Sequence, residues 1–158
     1  MILEDFRLDG KVAIVTGSST GLGQGACIGF AQAGADVVGV DHVDSCETQE
    51  LVEKLGRRFI NMKENLLSIE PITRIVARTV EEFGHLDILM NNAGIIRRTD
   101  AIDYTEKDWD EVMAINSKTV FFFSQAAARQ FIKQGTGGKI ISIASMLSYQ
   151  GGIRVPSY

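Results

Sequence analysis

Short apolar runs alternate with stretches in which apolar residues recur every third or fourth position, an alternation that predicts a parallel α/β sheet. Strands are expected at about 11–16, 36–41, 58–62, 87–91 and 138–144, and helices at about 21–33, 46–55, 68–83 and 105–134. The implied architecture is a doubly wound parallel sheet in three layers, α/β/α. In the first helix Leu22, Ala26, Phe30 and Ala33 fall at steps of three to four, so that face is expected on the sheet. Trp109, Val112, Val120, Phe123 and Ala127 make a similar stripe on the long helix, with Thr105 and Asp108 as its N-terminal cap. The run Lys139–Ala144 is apolar with almost no alternation, the pattern of a strand covered on both faces. Only fourteen residues follow it, and Pro156 reads as the first turn of a further helix. The expectation is one domain over residues 1–158, the N-terminal part of a longer chain whose last strands and helices lie beyond Tyr158.

Composition narrows the function classes. With 158 residues and 45% hydrophobic content the chain can bury one core. A net charge of −4, with lysine and arginine scattered rather than striped, argues against nucleic acid as a partner. No apolar run approaches the roughly 18 residues of a membrane span. The acidic start Met1-Ile2-Leu3-Glu4-Asp5 is unlike a secretory signal. Cys27 and Cys46 have neither metal nor redox spacing and suit a reducing cytoplasm. His42 and His85 are too few for a zinc site and read as surface residues, so no metal is expected.

The chemistry begins at Thr16-Gly17-Ser18-Ser19-Thr20-Gly21-Leu22-Gly23, directly behind the run Val12–Val15. A strand that ends in spaced glycines and opens a helix is a phosphate-binding turn. Gly17 permits the tight bend, Gly21 lets backbone approach a pyrophosphate, and Gly23 lets helix and strand pack closely. Amide N–H groups at the helix start then face the anion. Eighteen residues past Gly23 the next apolar run ends in Asp41, where a carboxylate holds the ribose hydroxyls of an adenine dinucleotide. Asp41 repels a 2′-phosphate, and neither Ser18-Ser19-Thr20 nor His42 carries a fixed positive charge to attract one, so NAD is expected rather than NADP. Asn91-Asn92-Ala93-Gly94, Ser145 and Tyr158 also fall after strands, at the ends where ligands bind in open α/β sheets. Asn116 lies on the apolar stripe of the long helix, at i+4 from Val112. A buried amide without partners costs about 1–3 kcal/mol, so Asn116 either bonds neighbouring backbone or belongs to the site.

These elements together resemble the short-chain dehydrogenase/reductase family, with a Rossmann-type sheet: Thr16 to Gly23 as its TGxxxGxG motif, Asn91 to Gly94 as NNAG, then Asn116, Ser145 and Tyr158 in the expected order. The resemblance implies an oxidoreductase that interconverts a hydroxyl and a ketone with NAD. It implies that Tyr158 is the general acid/base, that Ser145 hydrogen-bonds the reacting oxygen, and that Asn116 belongs to a proton relay. Ser142 and Ser148 rival Ser145 on composition; the thirteen-residue interval to Tyr158 selects Ser145, as in the family. The cofactor-binding set is then Gly17, Ser19, Gly21, Leu22, Gly23, Asp41, Asn65, Leu66, Asn92, Ala93, Gly94 and Tyr158. Asn65-Leu66 departs from the family's usual Asp-Leu, and the family's lysine, four residues after the tyrosine, falls past Tyr158. The likeness is strongest to a branch acting on sugar acids, whose carboxylate would be anchored by Arg98 or Arg154; Ser145 and Tyr158 would also touch substrate. An acyl reductase of the same family is disfavoured by Asp41, and a non-catalytic nucleotide-binding regulator by the retained Asn116, Ser145 and Tyr158. A homotetramer is implied as well, with the long helix as a contact surface.

Overall fold

A computed structural model describes residues 2–158. Five parallel strands, β1 (Val12–Thr16), β2 (Asp36–Asp41), β3 (Phe59–Lys63), β4 (Ile88–Asn91) and β5 (Lys139–Ser142), form one sheet in the order β3-β2-β1-β4-β5. The chain winds outward from β1 through β2 to β3, then returns to β1's other side with β4. Ile14 pairs with Val38 on one flank and Leu89 on the other. That reversal opens a crevice at the carboxyl ends of β1 and β4, the place where such sheets take ligands.

Successive strand residues point to opposite faces, and each face has its own core. Ile14, Val38 and Leu89 pack under Ile75 of α3 (Pro71–Phe83) and Phe123 and Ala127 of α5 (Val120–Gln134). Val15, Val37 and Met90 pack under Cys27 and Ala31 of α1 (Gly21–Ala33) and Val52 of α2 (Cys46–Lys54). The central strands β1, β2 and β4 are buried at every position, as their near-continuous apolar runs require. No helix among the described residues is long and apolar enough to cross a membrane.

Several expectations need correction. The third helix starts at Pro71 rather than about 68, because proline's fixed φ and missing N–H suit a first turn. The long helix is three pieces: α4 (Glu106–Met113), a π-helical turn (Ala114–Thr119) and α5. Its extra residue re-phases the stripe, burying Ile115 and Thr119 while Trp109 stays half-exposed. On α1 the fully buried face is Gly23, Cys27 and Ala31; of the expected stripe Ala26 and Phe30 pack partly buried beside it, and Leu22 is 74% exposed. Small residues win that face because the helix start sits so close to the turn before it. The last strand is shorter than expected: β5 spans only Lys139–Ser142, and without covering elements among the described residues it is exposed throughout. It pairs with β4 on one edge, and among the described residues no strand lies on the other.

Candidate functional site

Two glycines set the shape of the crevice floor. Gly17 has φ +70°, and a Cβ there would lie 2.9 Å from the Asn92 amide nitrogen and 3.0 Å from the Ala93 Cα. A Cβ on Gly23 would come within 1.9 Å of the Gly17 carbonyl oxygen. The first turn of α1 therefore nests on the loop before it, and that loop nests on the segment after β4. Gly21 differs: its φ is +58° and nothing lies within 4 Å of its notional Cβ. It is needed for its left-handed backbone, and it faces open space. Thr20, the residue before α1, makes no side-chain cap. The positive end of a 13-residue helix thus opens toward the crevice with no side-chain oxygen from Thr20 across it.

Thr16 ties the two strand ends together. Its hydroxyl accepts from the N–H groups of both Asn92 and Ala93, each at 3.0 Å. Asn92 answers by donating its side-chain amide to the carbonyls of Thr16 at 2.9 Å and Gly17 at 3.2 Å. Thr16 carried no role in the sequence reading beyond the start of the motif. A hydroxyl residue closing the first apolar run, with an Asn-rich stretch after a later one, is the signal that could have found it. On the other side, Ser18 bonds Ser45 at 2.9 Å and its carbonyl accepts from the Thr48 hydroxyl at 2.8 Å, fixing the loop to α2.

A cavity of about 420 Å³ occupies the crevice. Of the expected cofactor residues it takes in Gly17, Ser19, Asp41, Asn65, Leu66, Asn92, Ala93 and Gly94; His42, Glu64, Ile95 and Arg97, which sequence reasoning left out of the site, also line it. Gly21, Leu22 and Gly23 lie just outside, at the helix start. Asp41 is 7% exposed and accepts from the Ser19 N–H at 3.0 Å, the His42 N–H at 2.7 Å and the His42 Nδ1 at 2.7 Å. Burial by itself pushes its carboxyl upward. The hydrogen bonds from Ser19, His42 and Val43 outweigh it and hold the group below the usual carboxylate range. Asn65 spends its carbonyl oxygen on the Leu67 N–H at 3.0 Å, and the Leu66 carbonyl is pinned by the Thr119 hydroxyl at 2.7 Å.

Asn116, in the π-helical turn, embraces one residue: its Oδ1 accepts from the Ile95 N–H at 2.9 Å and its Nδ2 donates to the Ile95 carbonyl at 2.8 Å. Of the two alternatives for this amide, the structure shows the bond to backbone, and the backbone concerned is that of the loop after Gly94. Ser145 is half-buried and its hydroxyl accepts from the Leu147 N–H at 3.2 Å, at the entry to α6 (Leu147–Gln150). Tyr158 is 45% exposed, and neither it nor Ser145 lines the cavity. Arg98 is exposed and outside the cavity, whereas Arg97 lines it with its guanidinium held by Glu111 at 2.7 Å. Arg154 pairs with Asp100 at 3.0 Å, its carbonyl accepts from the Thr99 N–H at 3.0 Å, and Ser157 meets the Tyr104 hydroxyl at 2.7 Å. These contacts stitch the segment before Tyr158 to the loop after β4.

A profile of the family described as short chain dehydrogenase matches residues 11–158. The chain is 62% identical over all 158 residues to 2-dehydro-3-deoxy-D-gluconate 5-dehydrogenase of Escherichia coli, and 60% to the enzyme of that name from Dickeya dadantii. It covers 62% of each relative's length. Among solved structures, a protein of Agrobacterium tumefaciens assigned as 2-deoxy-D-gluconate 3-dehydrogenase, with bound NADP, superposes with a TM-score of 0.83 at 43% identity. That match covers 97% of this chain and 60% of the other.

Proposed function

We propose that this chain, which belongs to the short-chain dehydrogenase family, is the nucleotide-binding part of an NAD-dependent dehydrogenase of sugar acids, acting as a 2-dehydro-3-deoxy-D-gluconate 5-dehydrogenase. One observation carries the reading: a bare helix start, the Gly17 bend, buried Asp41 and the Asn92–Gly94 backbone border a single crevice. The residues fit a dinucleotide. Gly21 leaves room where a diphosphate would meet the helix start, and Asp41 stands near the ribose end of the same cavity. Asn65 and Leu66 would flank the adenine, and Ala93 and Gly94 would run beneath the second half of the molecule. The substrate class rests on the two relatives of one name at 62% and 60% identity.

When bound, the nicotinamide ring supplies the hydride acceptor. The chain's own groups would do the rest. Tyr158 would take the proton from the substrate hydroxyl, and Ser145 would donate to the oxygen as charge develops on it. A phenol serves as a base near neutral pH when a cation stands beside it; the family's lysine has its position four residues past Tyr158. Asn116, holding Ile95, would fix the loop under the reacting groups. Arg98 and Arg154 remain the candidates for the sugar-acid carboxylate, with Arg98 favoured because Asp100 already occupies Arg154. We take the enzyme to be cytoplasmic and a homotetramer, with exposed Trp109, Met113 and Phe121 along the 106–134 segment as contact surface.

The test is a substrate panel on the full-length protein: 2-dehydro-3-deoxy-D-gluconate, gluconate and 2-deoxygluconate, each with NAD and NADP. The expected result is the highest kcat/KM with the first substrate and NAD. Preference for 2-deoxygluconate would favour the activity assigned to the Agrobacterium neighbour. Turnover with none of the three would overturn the reading. Arg98→Ala is expected to raise KM for the sugar acid far more than for NAD; equal effects would discard the anchor.

A further inference from the structure

The turn that carries Tyr158 is held on two sides. On one side, a Cβ at Gly152 would meet Val155 Cγ2 at 2.5 Å and Leu147 Cδ1 at 2.9 Å, so the glycine lets the turn close onto α6. Val155 is the buried residue of the 151–158 segment, and Leu147 is the residue whose N–H goes to the Ser145 hydroxyl. The Tyr158 N–H donates to the Val155 carbonyl at 3.2 Å. This side links the turn to Ser145.

The other side is the loop after β4. The Thr99 N–H donates to the Arg154 carbonyl at 3.0 Å, Asp100 pairs with the Arg154 guanidinium at 3.0 Å, and the Tyr104 and Ser157 hydroxyls share a bond of 2.7 Å. Arg154 has φ +61°, the single non-glycine residue with positive φ among the described residues. Left-handed backbone is unfavourable for a residue with a Cβ, so the turn needs contacts from outside to persist. The loop can supply them because it is itself fixed: Asn116 grips Ile95, and Glu111 holds Arg97 at 2.7 Å. The three contacts are unequal. Both members of the Asp100–Arg154 pair are more than half exposed, so water and salt screen it. Tyr104 and Ser157 are half-buried, and their hydroxyls meet one residue from Tyr158.

We propose that Tyr104 is a positioning residue for Tyr158, acting through Ser157: their shared hydroxyl bond holds the Arg154–Tyr158 turn in the orientation that brings the phenol to the reacting oxygen. The inference rests on the dehydrogenase reading, in which Tyr158 moves the proton, and goes beyond it by giving the loop after β4 a part in that step. A general base works only within hydrogen-bond reach of the proton it takes. A turn released on its loop side therefore loses turnover before it loses binding.

The test is steady-state kinetics and thermal melting on the full-length protein with 2-dehydro-3-deoxy-D-gluconate and NAD. The variants are Tyr104→Phe, Ser157→Ala, the two combined, and Tyr158→Phe. Tyr104→Phe keeps the ring and removes only the hydroxyl. Each of the first two is expected to lower kcat about ten-fold while KM for sugar acid and for NAD stays within about two-fold, the split that marks an interaction made only in the transition state. The combined variant is expected to be no slower than either single one, because the same bond is missing in all three. Unchanged kcat in Tyr104→Phe would overturn the proposal. So would a fall in kcat accompanied by a matching rise in KM and a lower Tm, which is general loosening, or losses that multiply in the combined variant. Wild-type turnover by Tyr158→Phe would instead remove the reading on which the proposal rests.

Discussion

Two side chains show how local chemistry is built into the crevice. Asp41 carries its charge on a nearly buried carboxyl because hydrogen bonds from Ser19, His42 and Val43 overcome the cost of burial. Its folded-state pKa is depressed, so its contribution to stability is present above the unfolded value of about 4 and is lost as pH falls through the folded value. Asp41→Asn should therefore lower Tm at neutral pH, with the gap from wild type narrowing below about pH 4. A constant gap from pH 7 to pH 3 in thermal melts would contradict this. Gly23 makes the opposite kind of point, since it matters for what it lacks. With the Gly17 oxygen 1.9 Å from its notional Cβ, Gly23→Ala should cost about 1–3 kcal/mol through overpacking and weaken dinucleotide binding. Gly25→Ala, inside α1 with nothing within 4 Å, is the control expected to leave binding unchanged and to raise stability by about 0.5–1 kcal/mol.

The most consequential element is the interrupted helix from Glu106 to Gln134. A periodicity reading joined it into one rod, because the apolar stripe runs through both halves and a π-helical turn leaves no residue signature of its own. The interruption faces Asn116 toward Ile95, and through Ile95 it sets the loop that follows the β4 end. Removing the amide in Asn116→Ala strands a backbone N–H and a carbonyl. A loss of about 1–3 kcal/mol in urea unfolding is expected, and hydrogen exchange should quicken first at Ile95. Faster exchange confined to α5, with Ile95 unaffected, would argue that the amide supports the helix and not the loop. The glycine turn is the contrasting case. Its shape was readable because the positions at Gly17, Gly21 and Gly23 are dictated by close approach and left-handed backbone, which few other residues satisfy.

For the molecule as a whole, the sheet is unequal from centre to edge. The β1, β2 and β4 strands are sealed between helices, whereas β5 presents Ile140 and Ile141 to solvent with one edge unpaired among the described residues. An exposed apolar edge strand is a template for pairing with another copy. The 158-residue chain is therefore expected to self-associate at micromolar concentration, and Ile141→Lys should suppress this by placing a charge on the edge. Light scattering that is the same for both would show that association, if present, uses another surface. The chain covers 62% of the relatives' length, so the corresponding measurement on full-length protein is the natural comparison.

The order of residues was enough for the parallel α/β class, the order of elements, the glycine turn before α1 and the acid at the end of β2. These follow from periodicity and from stereochemistry that acts over a few neighbouring positions. Which face of α1 meets the sheet, the break in the long helix, Thr16 as the tie between strand ends, and the choice of Arg97 over Arg98 at the cavity all depended on folding. The last two are settled by contacts between residues 14 or more apart in the chain, Thr16 with Asn92 and Arg97 with Glu111. Packing between such segments leaves no period in the sequence to read.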